Sequence, residues 1–147
     1  MTKTAFLLGF AAATMLATVP AQAQTGSKVV YGWAKKAGDS GMIVTPHRAH
    51  LTELGESGIL AWDLGKKTGK PIKIDYTEGL DYRQGNKECG KRAAGHPYDN
   101  WSKKGYGKTE CAPRDLYALL RQGRVAVRVA YDPAGPIAVK VTELRLP

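Results

Sequence analysis

Two of the chain's three histidines, His47 and His50, lie three residues apart in the stretch TPHRAHLTELG, Thr45 to Gly55. If Pro46 to Leu54 is a helix, Thr45 can cap it and Pro46 can occupy its first turn. His47, His50, Leu51 and Leu54 then lie near one face. Both imidazoles could hold one zinc, with His96 supplying a third nitrogen. If the segment is extended, the two rings point to opposite faces and the pair dissolves. The zinc motif HExxH is absent, and no carboxylate is spaced to partner either ring in acid–base catalysis. Ordinary surface histidine is the competing reading. A hydrolase using His47, His50 or His96 would need two rings converging on Asp63, Asp75 or Asp99 in one cleft.

A second cluster lies between the cysteines, Cys89 and Cys111. Lys91, Arg92, Lys103, Lys104 and Lys108 stand there against Asp99 and Glu110, with Tyr98, Trp101 and Tyr106 interleaved. Cations can hold phosphates or sulfates while aromatic faces stack on bases or sugar rings. Trp101 is the best single contact candidate, and Arg83 and Arg114 extend the patch if the fold brings them near. The competing reading is that these aromatics pin a loop that lacks aliphatic residues. Other motifs fail on spacing. There is no GxSxG elbow, and Gly107-Lys108-Thr109 lacks the upstream glycine and strand of a phosphate-binding loop. No cofactor is expected.

The elements that must position these groups are mostly short strands. Lys28 to Ala34, Met42 to Val44 and Ile59 to Trp62 are apolar or aromatic runs. Pro71 to Tyr76 alternates, with Ile72, Ile74 and Tyr76 on one face. Glu78 to Ala112 is rich in Gly, Lys, Asn and Asp and is expected to contribute little core. Pro113 to Gln122 reads as a helix with a Leu116, Leu119, Leu120 stripe and Gly123 at its end. Val125, Val127, Val129 and Tyr131 share a strand face with Arg128 opposed. Ile137, Val139 and Val141 share the face of a second strand, with a bulge expected at Glu143. Asp132-Pro133-Ala134-Gly135-Pro136 turns between them.

An even cysteine count in an exported chain predicts one disulfide, Cys89 to Cys111. Export is expected from the N-terminus. Lys3 precedes an apolar run from Ala5 to about Val19, and Ala21-Gln22-Ala23 has the form of a cleavage site. Residues 1–23 read as a signal peptide and 24–147 as a single periplasmic or secreted domain, with no transmembrane segment in the mature part. The formal charge of +9 becomes about +8 without Lys3, which favours polyanionic partners or serves solubility. The expected fold is mainly β with one or two short helices, a small antiparallel sheet or partly open barrel stapled by the disulfide. The expected function is a non-enzymatic binding module, engaging an anionic ligand or protein partner through residues 90–110. The small secreted hydrolase is the alternative.

Overall fold

A computed structural model describes residues 27–147. The signal peptide expected at 1–23 falls outside the described residues. Eight strands and one helix follow in order: β1 (Lys28–Lys36), β2 (Gly41–Leu54), β3 (Ile59–Lys67), β4 (Ile72–Asp75), β5 (Asp81–Gln84), β6 (Thr109–Cys111), α1 (Pro113–Gln122), β7 (Val125–Asp132) and β8 (Ile137–Glu143). No helix among the described residues is long and apolar enough to cross a membrane.

The strands form a partial barrel. β1 pairs antiparallel with β2 and β7, and β7 with β8. β4 closes the ring, pairing with β2 on one side and touching β8 at Asp75 and Ile137 on the other. The sheet is mixed rather than antiparallel, because β8 runs parallel to both β4 and β5. Val30, Met42, Val44, Ile74, Tyr82, Val127, Val129 and Val141 fill the interior, and Leu116, Leu119 and Leu120 of α1 pack against them. The periodicity of α1 and β7 is therefore the one read from sequence.

The segment around the two histidines is strand, not helix. β2 runs through Pro46, which lies opposite Gly32. A Cβ at Gly32 would overlap the Thr45 carbonyl, so the two strands approach closely there. Beyond Pro46, which has no N–H for the ladder, β2 leaves β1 and pairs with β3 alone from His47 to Leu54. The result is a two-stranded arm extending from the barrel.

Two further expectations change. Glu78 to Ala112 carries β5 and β6, and its Tyr82 and Gln84 are fully buried. The irregularity in the last hairpin sits at Val139 rather than Glu143: Ala130 lies opposite Lys140, but Tyr131 lies opposite Ala138. Ile137 and Val139 are consequently exposed, while Ala138 and Val141 are buried. The cysteines form the expected bridge, joining the loop after β5 to β6, just before α1.

Candidate functional site

The extended arm separates the histidines. His47 Nδ1 donates to the Gly65 carbonyl at 2.7 Å, tying β2 to β3. His50 Nε2 lies 3.4 Å from Asp63 Oδ2, both side chains more than half exposed. His96 is exposed in the disulfide-bounded loop. Among the described residues, the group of three metal-capable side chains within 4.8 Å is Cys89, Cys111 and Asp115, and its two sulfurs are already bonded to each other. Of the arrangement sought for a hydrolase, the contact formed is that of one imidazole with Asp63.

The basic, aromatic loop divides into groups with different surroundings. Lys91 pairs with Glu88 at 3.1 Å, and Arg92 Nη2 donates to the Arg124 carbonyl at 2.9 Å. Tyr98, Lys103 and Lys104 are exposed. The Trp101 ring lies against Gly85, where a Cβ would overlap it, and its Nε1 donates to Asp99 at 3.3 Å. Asp99 also accepts from the backbone N–H groups of Ala94 and Gly95. Buried Gln84 and Asn86 bind the backbone of residues 86–92 from below. Polar side chains therefore do the ordering that aliphatic residues do elsewhere.

Tyr106 and Lys108 belong to a different place, on the outer face of the barrel. Register carries one row of side chains across five neighbouring strands: Tyr31 opposite Arg128, Arg128 opposite Thr142, Thr142 opposite Arg83, and Arg83 opposite Glu110. The arm crosses at one end of this row. Trp62 of β3 stands 5.1 Å from the Tyr31 ring and 5.4 Å from the Tyr106 ring. Its Nε1 donates to the Lys104 carbonyl at 2.9 Å, and the Tyr31 and Tyr106 hydroxyls bond each other at 3.1 Å. Beside this cluster opens a hollow of about 340 Å³, lined chiefly by Tyr31, Tyr106, Arg83, Lys108, Arg128 and Lys140.

The hollow is electropositive, with its acids at the margin. Asp81 holds Arg83 at 2.9 Å and Lys140 at 3.8 Å, and Glu110 approaches Arg83 at 4.0 Å. Among the described residues, Lys108 and Arg128 have no carboxylate within 4.0 Å, and the Arg128 guanidinium lies 6.0 Å from the Tyr31 ring centre. Burial and the bond to Tyr31 push the Tyr106 hydroxyl up to about 12, so it remains a neutral hydrogen-bonding group at physiological pH. Tyr31, Trp62, Arg128 and Lys140 were absent from the sequence-based site. Their signal was the outward parity of their strands, visible at Arg128 but uninformative until the register was known.

A second cavity, of about 390 Å³, reaches the end of β8, with Trp33, Trp101, Arg92, Asp99, Glu143 and Arg145 in its wall. Glu143 Oε1 accepts from the Gly85 N–H at 2.8 Å. Burial pushes this carboxyl up to about 7, against the opposing effects of the Gly85 bond and Arg92 and with a smaller push from Asp99.

No protein family matches this chain, and no curated protein or solved structure matches it either.

Proposed function

We propose that this is an exported, non-enzymatic binding module that takes a chain of phosphate or sulfate esters across the outer barrel face. The ligand would lie along the row from Tyr31 to Arg83, with its anionic groups on Lys108 and Arg128 and its rings against the exposed parts of Tyr31 and Tyr106. The observation that carries this reading is the lining of the 340 Å³ hollow, where four cations and two tyrosines meet while the acids stand at its edge. Cation and aromatic side chains in one groove suit a ligand that alternates charge with planar or ring-shaped groups. Residues 90–110 contribute Tyr106 and Lys108 to this surface. Lys103 and Lys104 add a weaker, solvated attraction. The Cys89–Cys111 bridge suits an oxidising compartment, in keeping with periplasmic or secreted residence after removal of residues 1–23.

Amide and side-chain NMR shifts during titration with a short heparin oligosaccharide, and separately with a single-stranded oligonucleotide, test the placement. Shifts concentrated at Tyr31, Tyr106, Lys108 and Arg128 are expected from at least one of them. Shifts confined to Lys91, Tyr98 and Lys103 would move the site to the loop crest, and no shifts with either probe would remove the anionic ligand.

A further inference from the structure

Glu143 is out of keeping with the strand that carries it. It lies opposite Val127 and has the parity of Val141, and both valines are fully buried. A carboxyl at this inward-facing position is costly unless something uses it, and perturbed carboxyls lining cavities are enriched at functional sites. Gly85 supplies one partner through its N–H, while the cavity runs alongside.

We propose that the cavity walled by Trp33, Trp101, Glu143, Arg92 and Arg145 binds an uncharged, hydroxyl-rich ring, a neutral pyranose unit of a saccharide. Its volume of about 390 Å³ falls within the size range of small-molecule sites, about 300–1,000 Å³. The choice of ligand follows from the wall. A cation would face Arg92 and Arg145, and an anion would face Asp99 and strip water from the buried Glu143 carboxyl. A purely apolar ligand would strip water from these groups and return no hydrogen bonds. A pyranose offers C–H faces to indole rings and hydroxyls that donate to the Asp99 carboxylate, exchange hydrogen bonds with the Glu143 carboxyl and accept from guanidinium groups. Asp99 is held by Ala94 and Gly95, and Glu143 by Gly85, so the polar wall is preorganised. This site uses neither Lys108 nor Arg128, so it stands or falls separately from the anionic groove.

The test is NMR titration of the purified protein with maltotriose, cellotriose and tri-N-acetylchitotriose. At least one is expected to give saturable shifts at the Trp33 and Trp101 indoles and at Gly85, with a dissociation constant of about 1 mM or tighter. Trp33→Ala is expected to weaken binding about tenfold through the lost ring face. Arg145→Ala, which leaves the apolar core untouched, is expected to weaken it at least about threefold. The absence of saturable shifts with all three sugars would overturn the proposal. So would binding that both variants leave unchanged, or shifts that map to Tyr31 and Tyr106 instead.

Discussion

Glu143 links chemistry to stability at the scale of a single residue. Its folded-state pKa is raised from 4.5 to about 7, so the folded protein retains a proton that the unfolded chain has already released. Stability from this group is complete below about pH 4.5 and falls as pH rises through about 7, amounting to roughly 3 kcal/mol for a shift of this size. Arg92, Asp99 and the Tyr82 hydroxyl act on it electrostatically, and Arg145 shares its cavity wall. Glu143→Gln keeps an acceptor for Gly85 and has no charge to bury. Its denaturation midpoint should therefore lose most of the wild-type decline between pH 5 and pH 8, as urea titrations at several pH values would reveal. Gly85 makes a second prediction. The Trp101 ring occupies the space of its missing Cβ, so Gly85→Ala should destabilise by about 1–3 kcal/mol, measured by the same titration. Trp101, the sequence's best contact candidate, is thus a packing residue as well as part of a cavity wall. A loss of binding in Trp101→Ala needs a stability measurement beside it.

At the scale of elements, α1 and β7 were legible because an apolar stripe at helical spacing and alternating valines each admit one burial pattern. The disulfide was legible from two cysteines in a chain read as exported. The arm was not, because Pro46 suits a helix start as well as a strand leaving its neighbour, and local spacing cannot choose between them. β5 was hidden for a different reason. Tyr82 and Gln84 are its buried residues, and Gln84 is buried because its amide bonds the carbonyls of Asn86 and Glu88 and the N–H of Gly90. Composition reads such a residue as solvated. Removing it in Gln84→Ala should leave buried backbone groups unpartnered and cost roughly 3 kcal/mol, visible in thermal unfolding. The same network limits how much of the loop depends on the bridge. Reduction should speed hydrogen exchange at Lys87 to Lys91 and at Thr109 to Cys111, while the valine-rich β7 keeps its protection. The Asp99 turn should also hold, since its ties run to Ala94, Gly95 and Trp101 rather than to the sulfurs. Equal exchange in the reduced and oxidised protein would show that side-chain amides alone order the loop.

At the scale of the whole molecule, the barrel sets two surfaces apart. Its register places Tyr31, Arg128, Thr142 and Arg83 in one row, and its crossing arm brings Trp62 against Tyr31 and Tyr106. The candidate site in the sequence was a run of neighbours between two cysteines. The groove draws instead on four strands, β1, β5, β7 and β8, and on Tyr106 to Lys108 of that run, which no linear spacing could disclose. Net charge of +9 supplies long-range attraction to any polyanion, so binding alone is weak support for a particular face. Its salt dependence in defined variants separates local contact from general attraction. The measurement is the affinity of a single-stranded oligonucleotide or heparin fragment over a range of salt concentrations, for the wild type and for Lys108→Ala with Arg128→Ala. The groove predicts wild-type binding that weakens steeply with salt, and a double variant that stays folded, binds more weakly and has a log–log slope shallower by about 1.4–2. A double variant with the wild-type affinity and slope, or a wild type that binds neither probe at low salt, would contradict it.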